Sequence, residues 1–245
     1  ALFSGYCRTP GIVGCDLDGL INSLQLPAGT LPIEAETGKL IFPADFRDLP
    51  GGDFKTRNPG FQSIRESLLP NELIGYRALG RLKYWDPSLS AWQDAPPHVQ
   101  IRLFGGLEAS IDLLSDFSKC AGQLICFSDK NFGVDGSTIF TGSGIQGSKE
   151  LVVDITNTTG ILHTHLSFFL ENQFNQLDGP VGAYLIELQL ISNARFFPSD
   201  PFLVLFNAGL DIHQFAAALI ALTGKSTSVD PPPELTRPVS IPGDI

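Results

Sequence analysis

The chain contains no methionine in 245 residues, only two tryptophans, four histidines and four cysteines, and little charge, since Asp, Glu, Lys and Arg together make 17%. Each shortage excludes something. A charged fraction so far below the usual quarter, beside 25 Gly and 18 Pro, disfavours long solvated helices and favours short strands joined by turns. Sixteen scattered Lys and Arg against 26 Asp and Glu, with a net charge of −10 and a pI near 4.7, argue against a nucleic-acid partner, which needs clustered cations against phosphate. No apolar run is long enough to cross a bilayer as a helix, so no transmembrane segment is expected. Neither Gly-x-Ser-x-Gly nor His-Glu-x-x-His occurs. With no nucleophile, base and orienting group in view, the expectation is a non-enzymatic protein.

What the chain does have is apolar material. A hydrophobic fraction of 43% and a mean hydropathy of +0.12 suffice for a sizeable core. The expected fold class is all-β: one β-sandwich or jelly-roll-like domain over residues 20–224, an extended arm with a cysteine loop over 1–19, and a Pro-rich tail over 225–245. Three strong strand patterns run Ile161–Leu170, Val181–Ile191 and Pro201–Asn207, and others run Glu72–Trp85, Leu107–Leu114, Gln123–Ser128 and Leu151–Thr156, with His98 opening a further strand. The stretches PAGT, ETGK and PADF read as turns between strands. Leu49–Pro70 reads as a long surface loop with one helical turn near Gln62–Ser67, and Asp129–Gly147 as a Gly/Ser/Asn-rich connection. One helix is expected after Asp211, a good N-cap, ending at Gly224, with Phe215, Leu219 and Leu222 facing the sandwich. Asn157-Thr158-Thr159 is a glycosylation sequon, expected as a surface turn.

The cysteines form two close pairs, Cys7 with Cys15 and Cys120 with Cys126. Such local spacing suggests two small disulfide loops in an oxidising compartment, with a tetrahedral zinc site as the rival reading. The absence of any initiator Met adds to the expectation of a processed, secreted, extracellular protein. Asp16, Asp18 and Gly19 lack the rest of a calcium loop and read as a turn.

One constellation is chemically pointed. Side chains repeat every two residues along a strand, so His163, His165, Ser167 and Phe169 share one face, and Leu162, Leu166 and Phe168 the other. Two imidazoles so placed suit a zinc or copper ion, with His98, Asp200 or Glu187 as a third ligand. The rival reading is a polar outer face that happens to contain His-Thr-His. Trp85 and Trp92, close to Tyr84, suit either a sugar-stacking surface for an extracellular polysaccharide or a plug at a core edge.

The segments HTHLSFFLE, GAYLIELQL and SDPFLVLFNAGLD, with NPGF and ELIGYRALGRLKYWD upstream, resemble a family of secreted bacterial proteins, found in cyanobacteria among others. Its members are often marked by a C-terminal PEP-CTERM sorting signal and in some cases tied to zinc-responsive regulation. The resemblance covers roughly residues 58–222. It implies an exported β-rich protein associated with metal binding. The family's paired histidines correspond to His163 and His165, and its SDPF turn to Ser199, Asp200, Pro201 and Phe202. A further histidine expected near the N-terminus has no counterpart between Asp16 and Asn22, and no sorting signal follows the Pro-rich tail.

The leading functional expectation is an extracellular structural protein that assembles with copies of itself, as a homo-oligomer or filament, through its terminal segments. The alternative is a transition-metal binder using His163 and His165.

Overall fold

Strand follows side-chain alternation along most of the chain. The computed structural model describes residues 14–16, 33–47, 53–63, 68–107, 135–192 and 197–224. In chain order the strands are β1 (Gly14–Asp16), β2 (Ile33–Glu34), β3 (Leu40–Asp45), β4 (Lys55–Thr56), β5 (Gly60–Gln62), β6 (Leu73–Asp86), β7 (Ala91–Asp94) and β8 (Val99–Leu107). They continue as β9 (Asp135–Thr141), β10 (Gly144–Gly147), β11 (Glu150–Ile155), β12 (His163–Thr164), β13 (Ser167–Asn172), β14 (Gly182–Ser192) and β15 (Phe202–Ala208), followed by helix α1 (Ile212–Thr223). The fold is all-β, and among the described residues one short helix follows the last strand.

Twelve strands make one continuous sheet, ordered β10-β9-β8-β11-β6-β14-β15-β3-β2, with β13 on β8, β4 on β13 and β7 on β6. Among the described residues its two halves meet at Val152 of β11, opposite Leu107 of β8. The two halves lie face to face. Phe168 of β13 meets Phe206 of β15 at 5.0 Å between ring centroids, and the Tyr76 hydroxyl of β6 reaches Thr138 Oγ1 of β9 at 2.8 Å. The fully buried Phe42, Phe140, Phe168, Phe202, Phe206, Tyr76 and Tyr184 fill the space between. Burying such rings is the main favourable contribution to folding.

The long central strands β6 and β14 need one adjustment. Their register slips between Leu185 and Glu187, and Gly80 takes φ +67° on the bulged side, a conformation that costs a glycine little. Helix α1 forms as its sequence suggests: Asp211 Oδ1 accepts the amides of His213 and Gln214, the Gln214 side chain accepts the Asp211 amide, and Gly224 closes the helix at φ +64°. Phe215, Ala218 and Leu219 are buried against the sheet, with Leu222 packed alongside.

Several expectations are corrected. Asp129–Gly147 is not merely a connection, because residues 135–147 form the β9–β10 hairpin: Phe140 supplies a fully buried ring and Gly142–Ser143 make the turn. Residues 53–63 within the supposed loop carry β4 and β5, and the proposed helical turn falls largely on residues outside those described. PADF is not a turn either: Pro43 lies inside β3, parallel to β15 and opposite Leu205. Proline is tolerated there because β2 pairs only Leu40 and Ile41, so beyond Ile41 no described strand on that side requires an amide from β3. The strand expected over Ile161–Leu170 breaks at His165–Leu166, where the chain passes from one sheet to the other. The strands expected at Leu107–Leu114, beyond Leu107 itself, and at Gln123–Ser128 lie outside the described residues.

Candidate functional site

The histidines are placed by a separate three-stranded sheet in the order β1-β5-β12. Its middle strand, β5, aligns Gln62 with His163 and with Gly14, and Phe61 with Thr164 and Cys15. Directly paired residues share a face. Gln62 and His163 are exposed, whereas Phe61 is 1% exposed. The same inward face continues through Leu162, Leu166 and Phe168, all buried. Alternation therefore survives the break in the strand, and His163 and His165 both point outward.

Their rings stand 5.4 Å apart between centroids, tilted by 51°. His165 Nδ1 lies 3.0 Å from the Arg57 carbonyl oxygen. A carbonyl only accepts, so Nδ1 carries the hydrogen, and in the neutral ring Nε2 holds the lone pair. The ring rests on Gly60: a Cβ there would fall 2.4 Å from His165 Cε1 and 2.6 Å from Nδ1. A glycine is thus required for the imidazole to lie where it does. The turn leading into β12 is tied down as well. Ser63 N–H donates to the Leu162 carbonyl at 2.9 Å, and Leu162 N–H donates to Ser63 Oγ at 2.7 Å. Asn157 Oδ1 accepts from the amides of Thr159 and Ile161 and from the Thr159 hydroxyl, so the sequon forms an exposed turn.

The other residues singled out in the sequence are dispersed. His98 precedes β8, and its carbonyl accepts the Gln173 amide beyond the far end of β13 from His165. Asp200 is exposed just before β15. Glu187 is held by Lys39 Nζ at 2.6 Å. Among the described residues no three His, Cys, Asp or Glu side chains gather as a metal-ligand group, so the pair His163 and His165 is not joined by a third such side chain there. Cys7, Cys120 and Cys126 lie outside the described residues, and of Cys15 only the backbone pairing is described. Trp85 is 4% exposed and meets Trp92 at 5.7 Å between centroids, while Trp92 Nε1 donates to the Ala218 carbonyl of α1 at 3.0 Å. The two indoles pack helix onto sheet at a core edge, and Trp85 offers no open face for stacking.

Buried polar groups elsewhere are matched internally. Glu72, 2% exposed, accepts from the Leu69 amide at 2.7 Å and from the Ser192 hydroxyl. Glu171, 1% exposed, accepts from Nε and Nη2 of Arg102, whose guanidinium also lies over the Phe169 ring at 4.6 Å. A groove of about 580 Å³ between β6 and β10, lined by Arg77, Leu79, Ile145, Lys149 and Glu150 among others, has its guanidinium paired to Glu150 and Gln189.

Sequence reasoning found the two histidines but missed their support from Arg57 and Gly60. The only signal was the Asn-Pro-Gly-Phe run, whose glycine faces the ring. No helix among the described residues is long and apolar enough to cross a membrane. No protein-family model, curated protein or solved structure matches the chain.

Proposed function

We propose that the chain is an exported, non-enzymatic β-domain that binds a transition-metal ion, zinc or copper, through His163 and His165. The observation that carries this reading is the oriented pair: two exposed imidazoles 5.4 Å apart, one of them held at Nδ1 by a backbone carbonyl. Ligating histidines commonly donate their second nitrogen to a carbonyl or carboxylate, which sets the tautomer and strengthens the donor. The formal charge of −10 favours a cation over an anion. Two imidazoles are the ligands that the described residues supply. Isothermal titration of zinc(II) and copper(II) into the protein and into the His163→Ala/His165→Ala variant tests this. Uptake by the first and not the second is expected; equal and negligible uptake by both removes the reading.

A second reading, self-assembly through the N-terminal arm, is favoured by the position of β1. It is a three-residue edge strand held on β5 by the register Gly14–Gln62 to Asp16–Gly60. The same slot accepts the equivalent strand of a neighbouring copy, and an exchange that does not close on itself propagates as a filament. Negative-stain microscopy and size-exclusion chromatography of the intact chain and of one lacking residues 1–16 test it. Monodisperse monomer from the intact chain excludes it. The Pro-rich tail, the other segment expected to assemble, lies outside the described residues.

A further inference from the structure

Seven large apolar side chains among the described residues are well exposed, and five of them, Leu89, Phe174, Leu177, Val181 and Ile212, belong to one end of the sandwich. There β6 turns into β7, β13 passes to β14, and β15 leads to α1. This is the far end of β13 from the histidine pair.

Phe174 is the most exposed of the five, at 71%, and it is presented rigidly. Asn172 Oδ1 accepts the Phe174 amide at 2.9 Å and the Gln176 amide at 3.2 Å. The Asn172 amide donates to the Gln176 carbonyl at 2.9 Å, and the Gln173 amide to the His98 carbonyl at 3.1 Å. Gln100 Nε2 donates to Asn175 Oδ1 at 2.8 Å, with Asn175 at φ +59°. A tight, cross-braced turn therefore holds an aromatic ring in water, where the ring gains nothing from burial.

The ring's neighbours say what suits it. The turn reads Asn172-Gln173-Phe174-Asn175-Gln176, with two amide residues on either side of the phenylalanine in sequence, and between Asn172 and Leu185 there is no Lys or Arg and a single acid, Asp178. Residues 173–178 are all exposed. Asn175 Nδ2, Gln176 Nε2 and the side-chain amide of Gln173 make no hydrogen bond to any described residue. An amide both donates and accepts, as a sugar hydroxyl does, and a pyranose ring has an apolar C–H face beside its hydroxyl rim. Anionic lipid or polyphosphate would call for cations, which the turn lacks. We infer that Phe174 and its flanking amides, Gln173, Asn175 and Gln176, form a binding site for a neutral polysaccharide chain. The aromatic face takes the C–H side of one sugar unit and the amides take its hydroxyls. The site is independent of the histidine pair.

Affinity electrophoresis in native gels cast with soluble glucan, mannan, xylan or galactan tests this. At least one gel is expected to retard the wild-type protein, with affinity falling about tenfold in Phe174→Ala and retained in Phe174→Trp. Because the ring is exposed, Phe174→Ala should melt with the wild type, so lost retardation does not reflect unfolding. Failure of all four gels to retard the wild type overturns the inference, as does equal retardation of Phe174→Ala. A wild type that self-associates in size-exclusion chromatography while Phe174→Ala does not, with no retardation in any gel, assigns the ring to a contact between copies and also overturns it.

Discussion

Replacing Gly60 with alanine separates the proposed metal site from the stability of the fold. The added Cβ would lie 2.4 Å from His165 Cε1, 2.6 Å from Nδ1 and 2.9 Å from Nε2, all closer than real contacts allow, so the ring must move. Because His165 is exposed, it swings aside without disturbing the core. The displacement breaks its bond to the Arg57 carbonyl, worth about 0.5–1.5 kcal/mol and near the lower figure at a solvated site. Gly60 is not among the glycines with positive φ, so alanine fits the backbone and recovers about 0.4–1 kcal/mol through a less flexible unfolded chain. The two contributions nearly cancel, and urea unfolding should place the variant within about 1 kcal/mol of wild type. Metal binding behaves differently, because loss of the group that orients a ligating histidine typically lowers affinity about 10- to 100-fold. Titration with zinc(II) and copper(II) should therefore show weakened uptake by a protein of unchanged stability. Unaltered uptake by Gly60→Ala would refute the argument that the oriented His163 and His165 pair is the site.

Other perturbations address the scaffold. Arg102→Ala leaves the Glu171 carboxylate, 1% exposed, with only Gln100 as a side-chain partner, and should cost about 3 kcal/mol in urea unfolding; a loss under 1 kcal/mol would show that water reaches the carboxylate. Burial raises the phenols of Tyr76 and Tyr184 above their ordinary value of 10.0. The native state thus keeps protons that the unfolded chain gives up, and stability should be full below about pH 10 and fall as pH rises toward the folded-state values. Thermal melts from pH 8 to 11 check this, and Tyr76→Phe should shallow the decline while costing about 1 kcal/mol for its bond to Thr138. Asp211→Ala removes the cap that receives two helix amides and should cost about 1 kcal/mol, read as a lower melting temperature.

How far the candidate site could be read from the sequence depends on the range of the interactions involved. His163 and His165 could be placed on one face because the two-residue repeat is a property of extended backbone and persists through the break at Leu166. Arg57 and Gly60 could not be tied to them, since that link depends on β5 pairing with β12 across about a hundred residues. The same limit explains Trp85 and Trp92, which are ambiguous as letters and become part of the core edge only when α1 docks through Ala218. It also explains residues 135–147: a glycine-rich run looks like a connection until Phe140 finds the core.

By itself, then, the sequence determined the all-β class, the helix with both its caps, and the long strands β6, β14 and β15, because these follow from local alternation, capping chemistry and turn residues. Tertiary structure alone decided that the strands fold into two facing layers, that Pro43 is tolerated inside a strand, that His165 rests on Gly60, and that Phe174 is left in water on a braced turn. Each of these depends on which distant segment occupies the neighbouring position, and a residue's immediate neighbours in the chain carry no record of that.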